Sequence, residues 1–266
     1  MKSLNRRILT SVALAGLCLA SFYAKAGPID IFEFSVFMNS TETGATSLQD
    51  TQIGIGPSNF TPGLDIVFSN GLNADNVGTL NWTLTNNIGG DLTNVSLFGF
   101  LDAEIDEPIN TFFNEYGTTA DLILGGGSGD GLADSFEIDE PGFVFGDIYI
   151  NLLMGVLDNT NAIQPALADD VSLALGFDIG TLLAGQSLTA TFEISLIANG
   201  GLGHVDPDSG FQFWYNGIAE RSTVVTPVPA PSTPSLMLLG GLILLAGRRV
   251  PRARAATADM QSSIVS

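Results

Sequence analysis

Between residues 27 and 220 the chain has neither lysine nor arginine. All nine basic residues lie at or beyond the edges of that window, while 27 of the 28 carboxylates lie inside it, with His204 the one group there able to carry positive charge. Nothing in such a body can replace the counterions that phosphates hold, which excludes direct nucleic-acid binding, and the same field opposes docking on anionic lipid. It also excludes a P-loop lysine and a Schiff-base lysine. Cysteine is nearly absent: the sole Cys18 sits in the N-terminal apolar run, so the rest of the chain has no disulfide, no thiolate nucleophile and no cysteine metal site. Without cysteine or a second histidine there is no ordinary zinc site. The "GGGSGDG" stretch fails as a nucleophile elbow because Asp130 stands where the last glycine belongs. About 200 residues must therefore hold themselves together by bulk, which a single β domain of that size can do. Their unpaired charge calls for screening by salt or bound cations.

What is present begins with the two ends. Residues 1–26, "MKSLNRRILTSVALAGLCLASFYAKA", open on Lys2, Arg6 and Arg7, run apolar, and close on Ala24-Lys25-Ala26. That is a secretory signal-peptide pattern with cleavage after Ala26. Near the other end the apolar run at residues 236–246 spans 11 positions, short of the roughly 20 needed to cross a bilayer. It is preceded by Val228-Pro229-Ala230-Pro231 and stopped by Arg248 and Arg249, which supply positive charge on the side that stays cytoplasmic.

This tail resembles the PEP-CTERM sorting signal of Gram-negative bacteria. The resemblance implies transient insertion of the C-terminal segment in the inner membrane, an exosortase-type processing enzyme that cuts near the proline motif, and delivery to the cell surface or exterior. It also implies an association with extracellular polysaccharide and biofilm. The expected organisation is a signal peptide over 1–26, a β domain over 27–222, a proline-rich linker with the sorting motif over 223–235, a short hydrophobic segment over 236–247 and a basic tail over 248–266.

The body reads as strands. Period-two alternation places Leu80, Trp82 and Leu84 on one side of "TLNWTLTN" and Leu188, Ala190, Phe192, Ile194 and Leu196 on one side of "SLTATFEISLI". Val171, Leu173, Leu175 and Phe177 alternate likewise, as do Phe32, Phe34, Val36 and Met38. Residues 64–68, 95–101, 143–150 and 211–215 are further strand candidates, and "INTFFNEYG" or "NAIQPALA" can form a short turn of helix. Glycine, asparagine and aspartate clusters such as "NNIGGD" supply the turns between them. The fold class is all-β, an antiparallel β-sandwich flanked by an N-terminal signal helix and a short C-terminal hydrophobic helix. The "TLTNNIGGDLTNV" and "TLLAGQSLTATFEIS" phrases look similar to those of Ig-like modules in bacterial surface proteins.

Acidic clusters carry the candidate chemistry. "LDAEIDEP" presents Asp102, Glu104, Asp106 and Glu107; "GDGLADSFEIDEPG" presents Asp130, Asp134, Glu137, Asp139 and Glu140; Asp169-Asp170, Asp206 and Asp208 add more. Calcium takes six to eight oxygens from carboxylates and loop carbonyls, so Asp102, Asp106, Asp130, Asp134, Glu137 and Asp139 are the candidate ligands. None of these stretches has EF-hand spacing. Paired carboxylates are also what glycoside hydrolysis needs, about 5–10 Å apart. His204 is either a loop histidine with no role or one that pairs with Asp206 or Asp208, and Trp214 and Tyr215 are either core or a sugar-stacking face. The expectation is a non-enzymatic structural or adhesive protein of the extracellular matrix. A calcium-dependent carbohydrate-binding module is the alternative, and a polysaccharide hydrolase a lesser one.

Overall fold

The alternating stretches fold as strands, and they fold as two antiparallel sheets. A computed structural model describes residues 29–50, 62–106 and 111–222. These lie in one compact unit of the chain. The signal sequence with Ala24 and Ala26 lies outside the described residues. So do the sorting motif at Val228, Pro229, Ala230, Pro231, Arg248 and Arg249 and both expected terminal helices. Among the described residues no helix is long and apolar enough to cross a membrane.

In chain order the elements are β1 (Ile29–Ser40), β2 (Gly44–Asp50), β3 (Leu64–Asn70), β4 (Gly78–Asn86), β5 (Leu92–Ile105), a 3-10 turn (Phe112–Asn114), β6 (Tyr116–Thr118), β7 (Ser135–Asp139), α1 (Ile148–Met154), β8 (Ser172–Leu182), β9 (Ser187–Ser195), β10 (Leu202–Val205) and β11 (Gln212–Arg221). One sheet has the order β2-β1-β5-β8-β7 and the other β3-β4-β9-β11-β10-β6. Their inner faces share one core: Phe34 of β1 meets Phe192 of β9 edge-on at 5.4 Å between ring centres, and Phe177 of β8 meets the same ring at 5.9 Å. Along the β4–β9 ladder Trp82 stands opposite Ala190 and Leu80 opposite Phe192, and all four side chains are buried in that core.

The first sheet is buried on both faces. Leu97 and Leu101 of β5 point into the shared core, whereas Phe98 and Phe100, with Phe37 of β1 and Ala174 of β8, form a second cluster under Ile148 and Leu152 of α1. That explains the near-continuous apolar runs of β5 and β8, where alternation gives way because a helix covers the second face.

Four sequence expectations need correction. Residues 143–150 do not form a strand: they are a loop leading into α1, and Gly155 at φ 71° caps the helix, its N–H donating to the carbonyls of Asn151 and Leu152. The i, i+4 pair Ile148 and Leu152 carried the helical signal, masked by aromatic and β-branched neighbours. Phe32 does not face the core. A register shift between Ile31 and Glu33 reverses the parity of β1, so Ile31 packs inward and Phe32 is 51% exposed. Leu196 lies beyond the end of β9 and is exposed. "NAIQPALA" forms no helix; Asn161 instead bridges β7 at Ile138, and the Ile163 carbonyl accepts from Gly117 N in β6 at 2.9 Å. The 3-10 turn does fall within "INTFFNEYG".

The two sheets leave no room for a side chain at Gly99. A Cβ there would lie 2.1 Å from Cε1 of Phe192 and 2.5 Å from the Tyr215 hydroxyl oxygen, both on fully buried rings of the opposite sheet. Gly99→Ala should therefore destabilise by roughly 1–3 kcal/mol through overpacking. Calorimetry should show a melting midpoint lower by about 2–4 °C per kcal/mol; an unchanged midpoint would mean the sheets are free to separate there.

Candidate functional site

Alternation places Asp102 and Glu104 of β5 on one side of the strand, with Ala103 and Ile105 buried on the other. Asp102 is paired in register with Ser172 of β8, which brings Asp170, just before that strand, alongside. One carboxylate oxygen from each of Asp102, Glu104 and Asp170 lies within 4.8 Å of the others. The three line a pocket of about 230 Å³ whose remaining walls are Phe32, turned outward by the β1 register shift, and Phe112 of the 3-10 turn. Phe113 packs against Phe112 at 3.8 Å between ring centres, so an aromatic rim stands beside the carboxylates.

Behind the pocket, Glu115 and His204 are fully buried. Strand β10 carries His204 into contact with Phe213 at 4.9 Å between ring centres, and its Nε2 pairs with the Glu115 carboxylate. The same carboxylate accepts weakly from Ile105 N at 3.4 Å. His204 thus pairs 89 residues away. The expected loop histidine is corrected: His204 lies within β10, while Asp206 accepts from the backbone N–H of Asp208 and Ser209 at 2.8 and 3.0 Å.

Protons replace the missing cations. Burial, then the charges of Asp170, Glu33 and Glu115, pushes Asp102 up to about 7. Burial and the neighbouring Glu115 and Asp170 hold Glu104 well above the carboxylate range, so protonated Glu104 donates to Asp170. Asp170 is itself raised by burial, opposed by that hydrogen bond and by His204. Its Oδ1 is buried with no hydrogen-bond partner among the described residues, an acceptor left over in the pocket wall. Glu33, next to the cluster, is stabilised differently: it accepts from Ser35 Oγ at 2.5 Å and from the Tyr149 hydroxyl, which burial and Glu33 keep protonated.

A second cluster joins Glu137 of β7 to Asp147 and Asp158, again with oxygens within 4.8 Å. Glu137 is buried and raised to about 7, chiefly by burial, yet Asn151 Nδ2 of α1 donates to both its oxygens at 3.0 and 3.1 Å. Asp139, its neighbour two residues on, accepts from Asp147 N at 2.7 Å and is also raised by burial.

Of the six candidate ligands, only Asp102 and Glu137 enter a cluster, one each. Asp106 ends β5 at φ 55° and joins neither. Asp130 closes its own turn, accepting from Gly126 N and Leu132 N at 2.7 and 2.9 Å, and Asp134 accepts from Asp178 N at 2.7 Å. The sequence reading noted Glu104 and Asp170 without placing them together. The i, i+2 spacing of Asp102 and Glu104 was the available signal; the pairing that brings Asp170 and Asp158 in is long-range. The sugar-stacking reading of Trp214 and Tyr215 is overturned, since both are buried, and the exposed rings stand at Phe32, Phe112 and Phe113 instead.

A carboxyl raised by folding stabilises fully below its ordinary range near pH 4, and that stability is lost as pH rises through the folded value. Asp102 and Glu137 place the loss through about 7 and Glu104 extends it upward. In chelator, the melting midpoint should fall by roughly 5–10 °C from pH 5 to pH 9. Glu104→Gln, neutral at every pH, should flatten the decline and match or exceed the parent at pH 9; a flat parent profile would contradict buried, proton-bearing carboxyls.

No protein-family model, no curated protein and no solved structure matches the chain.

Proposed function

We propose that the chain is an exported, non-enzymatic β-sandwich protein of the cell surface or extracellular polysaccharide matrix, whose Asp102–Glu104–Asp170 pocket holds a divalent cation of the calcium type and, through it, a glycan. The observation that carries the reading is the convergence of three carboxylates, one with an orphaned buried oxygen, in a body whose window from 27 to 220 offers no lysine or arginine. Carboxylate oxygens are the ligands hard cations take. Binding displaces protons from Asp102 and Glu104, so affinity rises with pH. The exposed faces of Phe32 and Phe112 are the kind of apolar wall on which sugar rings pack, with the cation meeting hydroxyl or carboxylate oxygens of the glycan. Export through the signal sequence and the exosortase-type tail accounts for the acidic, cysteine-poor body.

The test is a calcium titration of the melting midpoint, in chelator-treated protein with sodium chloride controls of equal ionic strength. The midpoint should rise saturably, by the equivalent of about 2.7 kcal/mol at a hundred times Kd, and more at pH 8 than at pH 5. Asp102→Asn and Asp170→Asn should each lose most of that response. Glycan-array binding should be discrete and abolished by EDTA. A response matched by sodium chloride would remove the cation site, and binding that EDTA leaves intact would remove the bridging role.

A further inference from the structure

The loop entering α1 and the outer side of that helix form an apolar face with nothing over it among the described residues. Phe143, Val144 and Phe145 expose 59, 82 and 81% of their surface, and Ile150, Leu153 and Met154 expose 43, 47 and 68%. The last three stand at i, i+3 and i+4, one stripe of the helix, while Ile148 and Leu152 on its other side are buried against the first sheet. The loop reaches the helix through Phe143, which packs on Tyr149, the residue before Ile150, at 5.0 Å between ring centres.

Six side chains at those exposures present roughly 700–800 Å², more than the 300–600 Å² of the largest apolar patch on an ordinary monomer. That is about the 800 Å² each partner contributes to a standard interface. None of the six carries charge. Elsewhere two copies of so acidic a chain repel each other, so a face built of six uncharged side chains is where self-contact costs least. Asp147 and Asp158 flank the patch within 4.8 Å of one another, and they set a salt-dependent barrier at its rim.

We infer that this face joins two copies of the chain in a two-fold dimer, the 150/153/154 stripe of one helix against that of its partner with the 143–145 loop alongside. A two-fold contact is self-complementary and closes at two subunits. The association strengthens with salt, since salt screens the rim carboxylates while the apolar contact is untouched.

Sedimentation velocity on the full chain, over a concentration series at low and high sodium chloride, tests this. A monomer–dimer equilibrium that tightens with salt is expected. Phe145→Asp and Met154→Asp should each weaken it by about tenfold or more, as truncating a central interface residue does. Val67→Asp, on an exposed residue of β3, should leave it unchanged. Parent-like melting midpoints show the variants folded, and Phe145→Ser serves where the aspartate does not. A chain monomeric at every concentration and salt level overturns the inference, as does a dimer equally stable in the patch variants.

Discussion

Everything in this structure answers to one constraint: carboxylates must be housed in a folded body that has no lysine or arginine between residues 27 and 220. A buried carboxylate left bare is far more costly than any single hydrogen bond can offset, so each needs donors or a proton. The chain uses four kinds. Backbone N–H groups serve Asp130, Asp134, Asp139 and Asp206. Side-chain amides and hydroxyls serve Glu137 and Glu33. The lone histidine serves Glu115. Protons serve Glu104, and in part Asp102 and Glu137.

That ordering separates the two carboxylate clusters. At Glu137 one amide, Asn151 Nδ2, reaches both oxygens, and α1, which supplies it, is pinned to the sheet by Ile148 and Leu152. The cluster ties the helix to β7. At Asp102, Glu104 and Asp170 the accounting does not close. One proton is shared between Glu104 and Asp170, and an oxygen of Asp170 stays unsatisfied at a pocket open between two phenylalanines. An incomplete set of donors in a concave, aromatic-rimmed place is what distinguishes this cluster from that tie.

Much of the fold was legible in the sequence and the site was only half so. Alternation located the inward faces of β4, β8 and β9 because each has one face on the shared core. It failed where a second constraint intervened. The β1 register shift turned Phe32 outward, and α1 covered the outer face of the first sheet, filling both parities of β5 with apolar residues. Helical spacing in so short a segment was outweighed by its strand-forming residue types. For the site, Asp102 and Glu104 shared a strand and so a face, but Asp170 reaches them through the β5–β8 ladder. His204 found Glu115 through the β10–β6 pairing. Pairings across some 70 to 90 residues leave no periodic trace.

The register shift in β1 links these strands of argument. Had β1 run regularly, Phe32 would sit in the core with Phe34, and the carboxylates of β5 would have no aromatic wall beside them. The irregularity lies opposite residues 102 and 103, where β1 passes the pocket, and only there along that strand pair. Beyond it the strand returns to strict alternation, with Phe34 against Phe192 holding the sheets together. A bulge costs ladder hydrogen bonds and packing regularity, and such features persist where they aim a side chain. Here one irregular step releases a phenylalanine from the core and sets it beside the three carboxylates, one of which keeps a buried oxygen without a donor. The same step leaves the remaining inward residues of β1 in register with the opposite sheet.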